Sequence, residues 1–118
     1  MVQYSPQALD SSFAALSDAT RRGVLAELGQ GDASITSLAD RFHMTLTGMK
    51  KHVQVLERAG LVATEKVGRV RTCRLGRRDL AAEAEWIEAQ RRLFEARFAA
   101  LDDILETMKQ EEKNGSAA

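Results

Sequence analysis

The sequence predicts a mainly α-helical domain that carries one small β-hairpin. Three observations lead there. Apolar residues recur at helical spacing over most of the chain, the period switches to two between Leu61 and Leu75, and glycines or cap-forming side chains punctuate the changes of pattern. At 118 residues, 44% of them hydrophobic, the chain suits one domain spanning 1–118 with a modest core. A core of that size often gains stability from a second subunit.

The elements follow in order. Pro6 opens a helix, within residues 1–16, that carries Leu9, Phe13 and Leu16 at spacings of four and three. Ser17 or Asp18 reads as the N-cap of the next helix, lined by Val24, Leu25 and Leu28 and ended by Gly29 and Gly31. Ser34 and Ile35 suggest a very short strand, and Thr36 caps a helix through Leu38, Ala39 and Phe42. The chain turns at His43 and Met44. Thr45 then caps a helix with Met49, Val53 and Leu56 on one face, and Gly60 stops it at the C′ position.

From Leu61 the pattern is β-like: Val62, Thr64 and Lys66 alternate with Ala63, Glu65 and Val67, and Gly68-Arg69 forms a tight turn. Val70 to Leu75 returns, so residues 61–75 form a hairpin. Asp79 caps a last long helix, 79–113, that frays near Asn114 and Gly115 into a disordered tail, 114–118.

Net charge is zero, but its distribution is uneven. Residues 1–40 carry two basic and five acidic side chains, residues 41–78 ten basic and two acidic, and residues 79–118 five basic and ten acidic. A central stretch at +8 between flanks at −3 and −5 is the footprint of a phosphate-binding surface. That basic stretch coincides with two short helices, a tight turn and a hairpin, the order of a winged helix-turn-helix, within residues 17–78. In such a unit the second helix offers its exposed residues to base edges, and the hairpin, or wing, reaches phosphates or the minor groove.

With Met49, Val53 and Leu56 facing inward, Thr45, Leu46, Thr47, Lys50, Lys51 and Gln54 are the expected DNA-facing residues of the second helix. Thr47 and Gln54 suit base edges, Lys50 and Lys51 guanine or phosphate, and Leu46 a thymine methyl. On the hairpin, Lys66, Arg69 and Arg71 are expected at DNA. Arg77 and Arg78 belong either to this surface or, slightly favoured, to the start of the last helix as solvated charge. Gly48, inside a helix, reflects either close approach of the backbone to DNA or a position without steric demand.

Ile87, Phe94, Phe98, Leu101, Leu105 and Met108 recur in the last helix at spacings of seven, four, three, four and three, widened by Trp86, Leu93 and Ile104. So wide an apolar face exceeds what a small domain covers, so a homodimer is expected, with Leu9, Phe13, Trp86, Ile87, Phe94, Phe98, Leu101 and Leu105 at its interface. The alternative is a core helix within one chain. The acidic residues Glu83, Glu88, Glu95, Asp102, Asp103 and Glu106 are expected in water, away from DNA.

Other classes find little support. There is no run of about 18 apolar residues, so no membrane span is expected, and residues 1–10 lack the pattern of an export signal. Cys73 is the single cysteine, which excludes an internal disulfide and fits a reducing cytoplasm. Burial as a small apolar residue is its default role, with a redox switch aided by nearby arginines as the alternative. No phosphate-binding glycine loop or nucleophile–base pair is visible, so neither an enzyme nor a cofactor is expected. His43, His52 and Cys73 make a poor metal set. The rival to a DNA-binding regulator is a winged-helix protein–protein adaptor, which has no need of the central positive charge.

Leu16-Ser-Asp-Ala-Thr-Arg-Arg22, Val24-Leu25, Leu38-Ala39, His52-Val53, Val55-Leu56 and Ala59-Gly60-Leu61-Val62 together resemble the ArsR family of bacterial regulators, over roughly residues 10–105. The resemblance implies a dimeric winged helix that binds double-stranded DNA, represses transcription and is released by a signal such as a small-molecule effector. Ala19 departs from the proline common there. Residues 33–38 hold none of the cysteines of arsenic-sensing members, and the last helix has no histidine to match the zinc-sensing ones. Trp86 resembles a subgroup that lacks the metal sites.

Overall fold

The structure, a computed structural model, describes residues 6–116. Its elements are α1 (Pro6–Leu16), α2 (Ala19–Gln30), β1 (Ala33–Ser34), α3 (Ile35–Arg41), α4 (Leu46–Arg58), β2 (Val62–Val67), β3 (Val70–Leu75) and α5 (Ala81–Ser116). The described residues form two compact units, which divide between Glu83 and Ala84.

In the first unit, Val24, Leu28, Ile35, Leu38, Met49, Val53, Leu56, Leu61, Val62 and Cys73 form one buried cluster. These are the inward positions of α2, α3, α4 and the hairpin, so the helical and two-residue periods each deliver one face to a common core. The antiparallel sheet has the order β1-β3-β2. β2 and β3 pair from Val62 opposite Leu75 to Val67 opposite Val70. β1 adds two residues on the other edge of β3, Ala33 opposite Cys73 and Ser34 opposite Thr72.

Local chemistry sets the boundaries. Asp18 caps α2 by accepting from the Arg21 backbone N–H at 3.1 Å. Arg21 also donates to the Ala14 and Ala15 carbonyls, and Arg22 to that of Leu16, so the end of α1 is capped by side chains of α2. α3 and α4 end alike. The Met44 and His43 N–H groups return to the Ala39 and Asp40 carbonyls, and the Leu61 and Gly60 N–H groups to those of Leu56 and Glu57. Both are Schellman closures, with His43 (φ 54) and Gly60 (φ 78) in the left-handed position.

Several boundaries differ from expectation. Ser34, not Thr36, caps α3 by accepting from the Ser37 N–H, so Ile35 is helical and the short strand is Ala33–Ser34. Gly29 lies inside α2, and Gly31 follows it as the C-cap. Asp79 does accept from the Ala81 N–H at 3.0 Å. α5 continues past Asn114 and Gly115 to Ser116, and the rest of the expected tail lies outside the described residues.

The largest correction concerns charge. Arg78 precedes α5 rather than starting it, and its side chain is mostly buried. Its guanidinium pairs with Glu83, donates to Ser12 Oγ and reaches the Ala8 and Ala59 carbonyls. Glu83, expected in water, is 2% exposed. The pair ties α1, the end of α4 and the first turn of α5 together. Nearby, Gly76 lets the chain cross Gly60, since a Cβ there would stand 2.3 Å from the Gly60 carbonyl oxygen.

Candidate nucleic-acid interface

The candidate interface is built on α4. Thr45 Oγ1 accepts from the Gly48 N–H at 3.0 Å and fixes where the helix begins. Met49, Val53 and Leu56 are buried. Rotation by the helical period therefore exposes Leu46, Thr47, Lys50, Lys51 and Gln54, and all five are exposed, together with Thr45. Thr45 has its hydroxyl committed to the cap. Gly48 has a local steric demand that the sequence did not reveal, because a Cβ there would stand 3.1 Å from Thr45 Oγ1.

α4 is braced from the side. His52 Nδ1 lies 3.2 Å from Arg21 Nη1 and 3.8 Å from Asp18 Oδ2, at the boundary between α4 and the start of α2. The Asp18 carboxyl is held below its ordinary value, chiefly by the Arg21 backbone N–H; partial burial opposes this, and the nearby His52 and Arg21 add smaller lowering effects. α3 packs closely on α2, where a Cβ on Gly23 would meet the Phe42 ring at 2.6 Å.

The register decides which way the wing's charges point. Cys73 is fully buried opposite Thr64, so Val62, Thr64, Lys66, Arg71, Cys73 and Leu75 share the face that continues into the core. Lys66 stands directly opposite Arg71 on that face. Like charges directly opposed in an antiparallel pair destabilise it, unless an anion lies between them. Arg74 is on the other face and is paired with Glu65 at 3.2 Å. Arg69 follows Gly68 (φ 62) at the tip and is exposed.

Between α4 and the wing lies an open groove of about 320 Å³, floored by Ile35 and Val53 and edged by Lys50, Gln54, Glu57, Thr64 and Arg71. The structure thus brings Lys50 and Gln54 of the helix and Arg71 of the wing to one groove. Sequence reasoning missed Glu57 and Thr64. The signal was there: Glu57 is one of two acidic residues in the basic stretch 41–78.

Cys73 is buried, as its default reading held. Arg71 does draw its thiol pKa down, but burial and the nearby Glu57 prevail and push it up to about 11. The thiol therefore stays protonated at neutral pH, which removes the basis for a redox switch. Among the described residues no group of three or more His, Cys, Asp or Glu is placed to hold a metal ion. None of their helices is long and apolar enough to cross a membrane.

Along α5, Trp86, Ile87, Leu93, Phe94, Phe98, Leu101, Ile104, Leu105 and Met108 are all exposed, and Phe94 and Phe98 stack with centroids 6.5 Å apart. Leu9 and Phe13 of α1 are half-buried. Glu88 and Glu95 pair with Arg91 on the same helix.

A family model described as a helix-turn-helix domain matches residues 16–65, which span α2, α3, α4 and the start of the wing. The crystal structure of an ArsR family transcriptional regulator is 42% identical, over 80% of this chain and 97% of that one, with a TM-score of 0.71. An ArsR-like transcriptional regulator from Rhodococcus sp. RHA1 is 39% identical, over 86% and 93%, with a TM-score of 0.72. A homodimeric winged helix-turn-helix DNA-binding domain from Mycobacterium bovis, 22% identical over 78% and 91% with a TM-score of 0.60, shares the fold. No curated protein sequence matches.

Proposed function

The chain belongs to the ArsR family of winged helix-turn-helix transcriptional regulators, and from that premise we propose that it represses transcription as a homodimer on a palindromic operator, without a metal signal. The observation that carries DNA binding is the convergence on one groove of Lys50 and Gln54 from α4 with Arg71 from β3, Arg71 being opposed by Lys66. Thr47, Lys50 and Gln54 read bases, with Leu46 and Lys51 beside them. Lys66, Arg69 and Arg71 hold phosphates or the minor groove.

The dimer is supported by the exposed stripe of α5. Ile87, Phe94, Leu101 and Met108 stand seven residues apart, with Phe98 and Leu105 between the later ones, which is the seam of a coiled coil. Trp86 flanks it, and Leu9 and Phe13 of α1 contribute. Metal independence is supported by residues 33–38, Ala-Ser-Ile-Thr-Ser-Leu, which offer no thiol, and by an α5 without histidine. The signal that relieves repression is then of another kind, a small-molecule effector among them.

The experiment is selection of binding sites from random duplex DNA, followed by gel shift on the recovered site. An inverted repeat is expected, and titrated zinc or arsenite is expected to leave its affinity unchanged. Recovery of no common sequence would favour the protein–protein adaptor, and release by either metal at micromolar levels would overturn metal independence.

A further inference from the structure

Glu57 places a carboxylate on the side of the molecule that meets DNA, where it should repel phosphate. The other acid of the basic stretch, Glu65, is neutralised by Arg74 on the far face of the wing. Glu57 is used differently. Its Oε2 accepts from Thr64 Oγ1 at 2.8 Å, and Thr64 Oγ1 in turn accepts from Arg71 Nη1 at 3.0 Å.

A threonine hydroxyl has one proton. With that proton committed to the carboxylate, its lone pairs are turned to the guanidinium. The three groups form a chain polarised in one direction, from cation through hydroxyl to anion, with a charged group at each end. It joins the last turn of α4 to both wing strands.

We propose that Glu57 is a positioning residue for DNA binding: acting through Thr64, it holds Arg71 in place opposite Lys66 before a phosphate arrives. An exposed arginine on a hairpin otherwise surrenders many rotamers when it binds. This rests on the reading of Arg71 as a phosphate contact given above.

The test uses the full-length protein, a fluorescent mixed-sequence duplex and a salt titration of affinity. Arg71→Ala is expected to reduce the slope of log affinity against log salt by about 0.9, the share of one phosphate. Glu57→Ala and Thr64→Val are each expected to weaken binding and to lose at least half of that slope. Glu57→Gln, which keeps the acceptor, and Thr64→Ser, which keeps the hydroxyl, are expected to restore it, a rescue that plain loss of repulsion would not give. Glu57→Ala added to Arg71→Ala should lower the slope no further. If Glu57→Ala binds more tightly or keeps its slope while Arg71→Ala loses one, the relay is overturned and the wing contact stands. An unchanged slope in Arg71→Ala overturns both. Should Thr64→Val fail to fold, the Glu57→Ala and Glu57→Gln pair decides alone.

Discussion

Arg78 illustrates how a side chain's role is set by partners far away in sequence. In the chain it is the last of a series of basic residues and reads as more of the same. In the fold it is drawn in against the Ala8 carbonyl and Ser12, and its ion pair with Glu83 is shielded from water. Removing one member strands the other charge. Arg78→Ala is therefore expected to destabilise the protein by roughly 3–5 kcal/mol, and a combined Arg78→Met and Glu83→Leu change by much less. Urea denaturation of both variants checks this. Asp18 acts in the opposite environment, near the surface. Its folded pKa lies below the ordinary 3.8, so the unfolded chain takes up its proton first as pH falls. Its contribution to stability is present above about pH 4 and fades as pH drops through the folded value. Melting temperatures of wild type and Asp18→Asn, measured down to about pH 3, should show a shallower acid limb in the variant.

Among the elements, α4 and the wing divide the labour of binding in the proposed function. Thr47 and Lys50 sit near the start of α4, where a recognition helix meets base edges. Their alanine variants are expected to lose roughly 1–3 kcal/mol on the selected operator and much less on mixed-sequence DNA. Gel shifts on the two duplexes decide it, because an equal loss on both would make them phosphate contacts. The exposed face of α4 was legible in the sequence because Met49, Val53 and Leu56 fix its rotation and Thr45 and Gly60 its ends. The hairpin was legible because the period changes at Leu61. β1 was only half legible: a two-residue strand has no pattern of its own, and its partner β3 lies some 40 residues on. Thr36 and Ser34 are both good caps, and it is Ser34, the strand residue opposite Thr72, that accepts from the Ser37 N–H. The Glu57 relay was hidden for a related reason, since Thr64 and Arg71 meet it only once the register is set.

At the scale of the molecule, α5 has 36 residues, about 54 Å of helix. Phe94 and Phe98 on it are 63% and 61% exposed, and with the exposed Leu101, Ile104 and Leu105 they make an apolar stripe of the kind that marks an interaction surface. Replacing Phe98 and Leu101 with glutamate would set two charges per subunit into the proposed seam. The variant is expected to run as a monomer in light scattering and to lose operator binding, although every DNA-facing residue is intact. A wild-type monomer, or a monomeric variant that binds its operator tightly, would sink the dimer. Two recognition helices about 34 Å apart, one turn of DNA, are what such a dimer must present.

The sheltered Arg78–Glu83 pair also means that ionic strength acts on two separate compartments of this chain. Mobile ions screen charges that water reaches, over about 8 Å at physiological salt, and barely touch a pair sealed from it. Lys66, Arg69 and Arg71 belong to the first compartment, and Arg78 and Glu83 to the second. Strong brine should therefore strip the protein from DNA and leave its fold undisturbed. It is expected to wash off a heparin column at high salt, to keep a melting temperature nearly flat across the gradient, and to return to DNA on dilution alone.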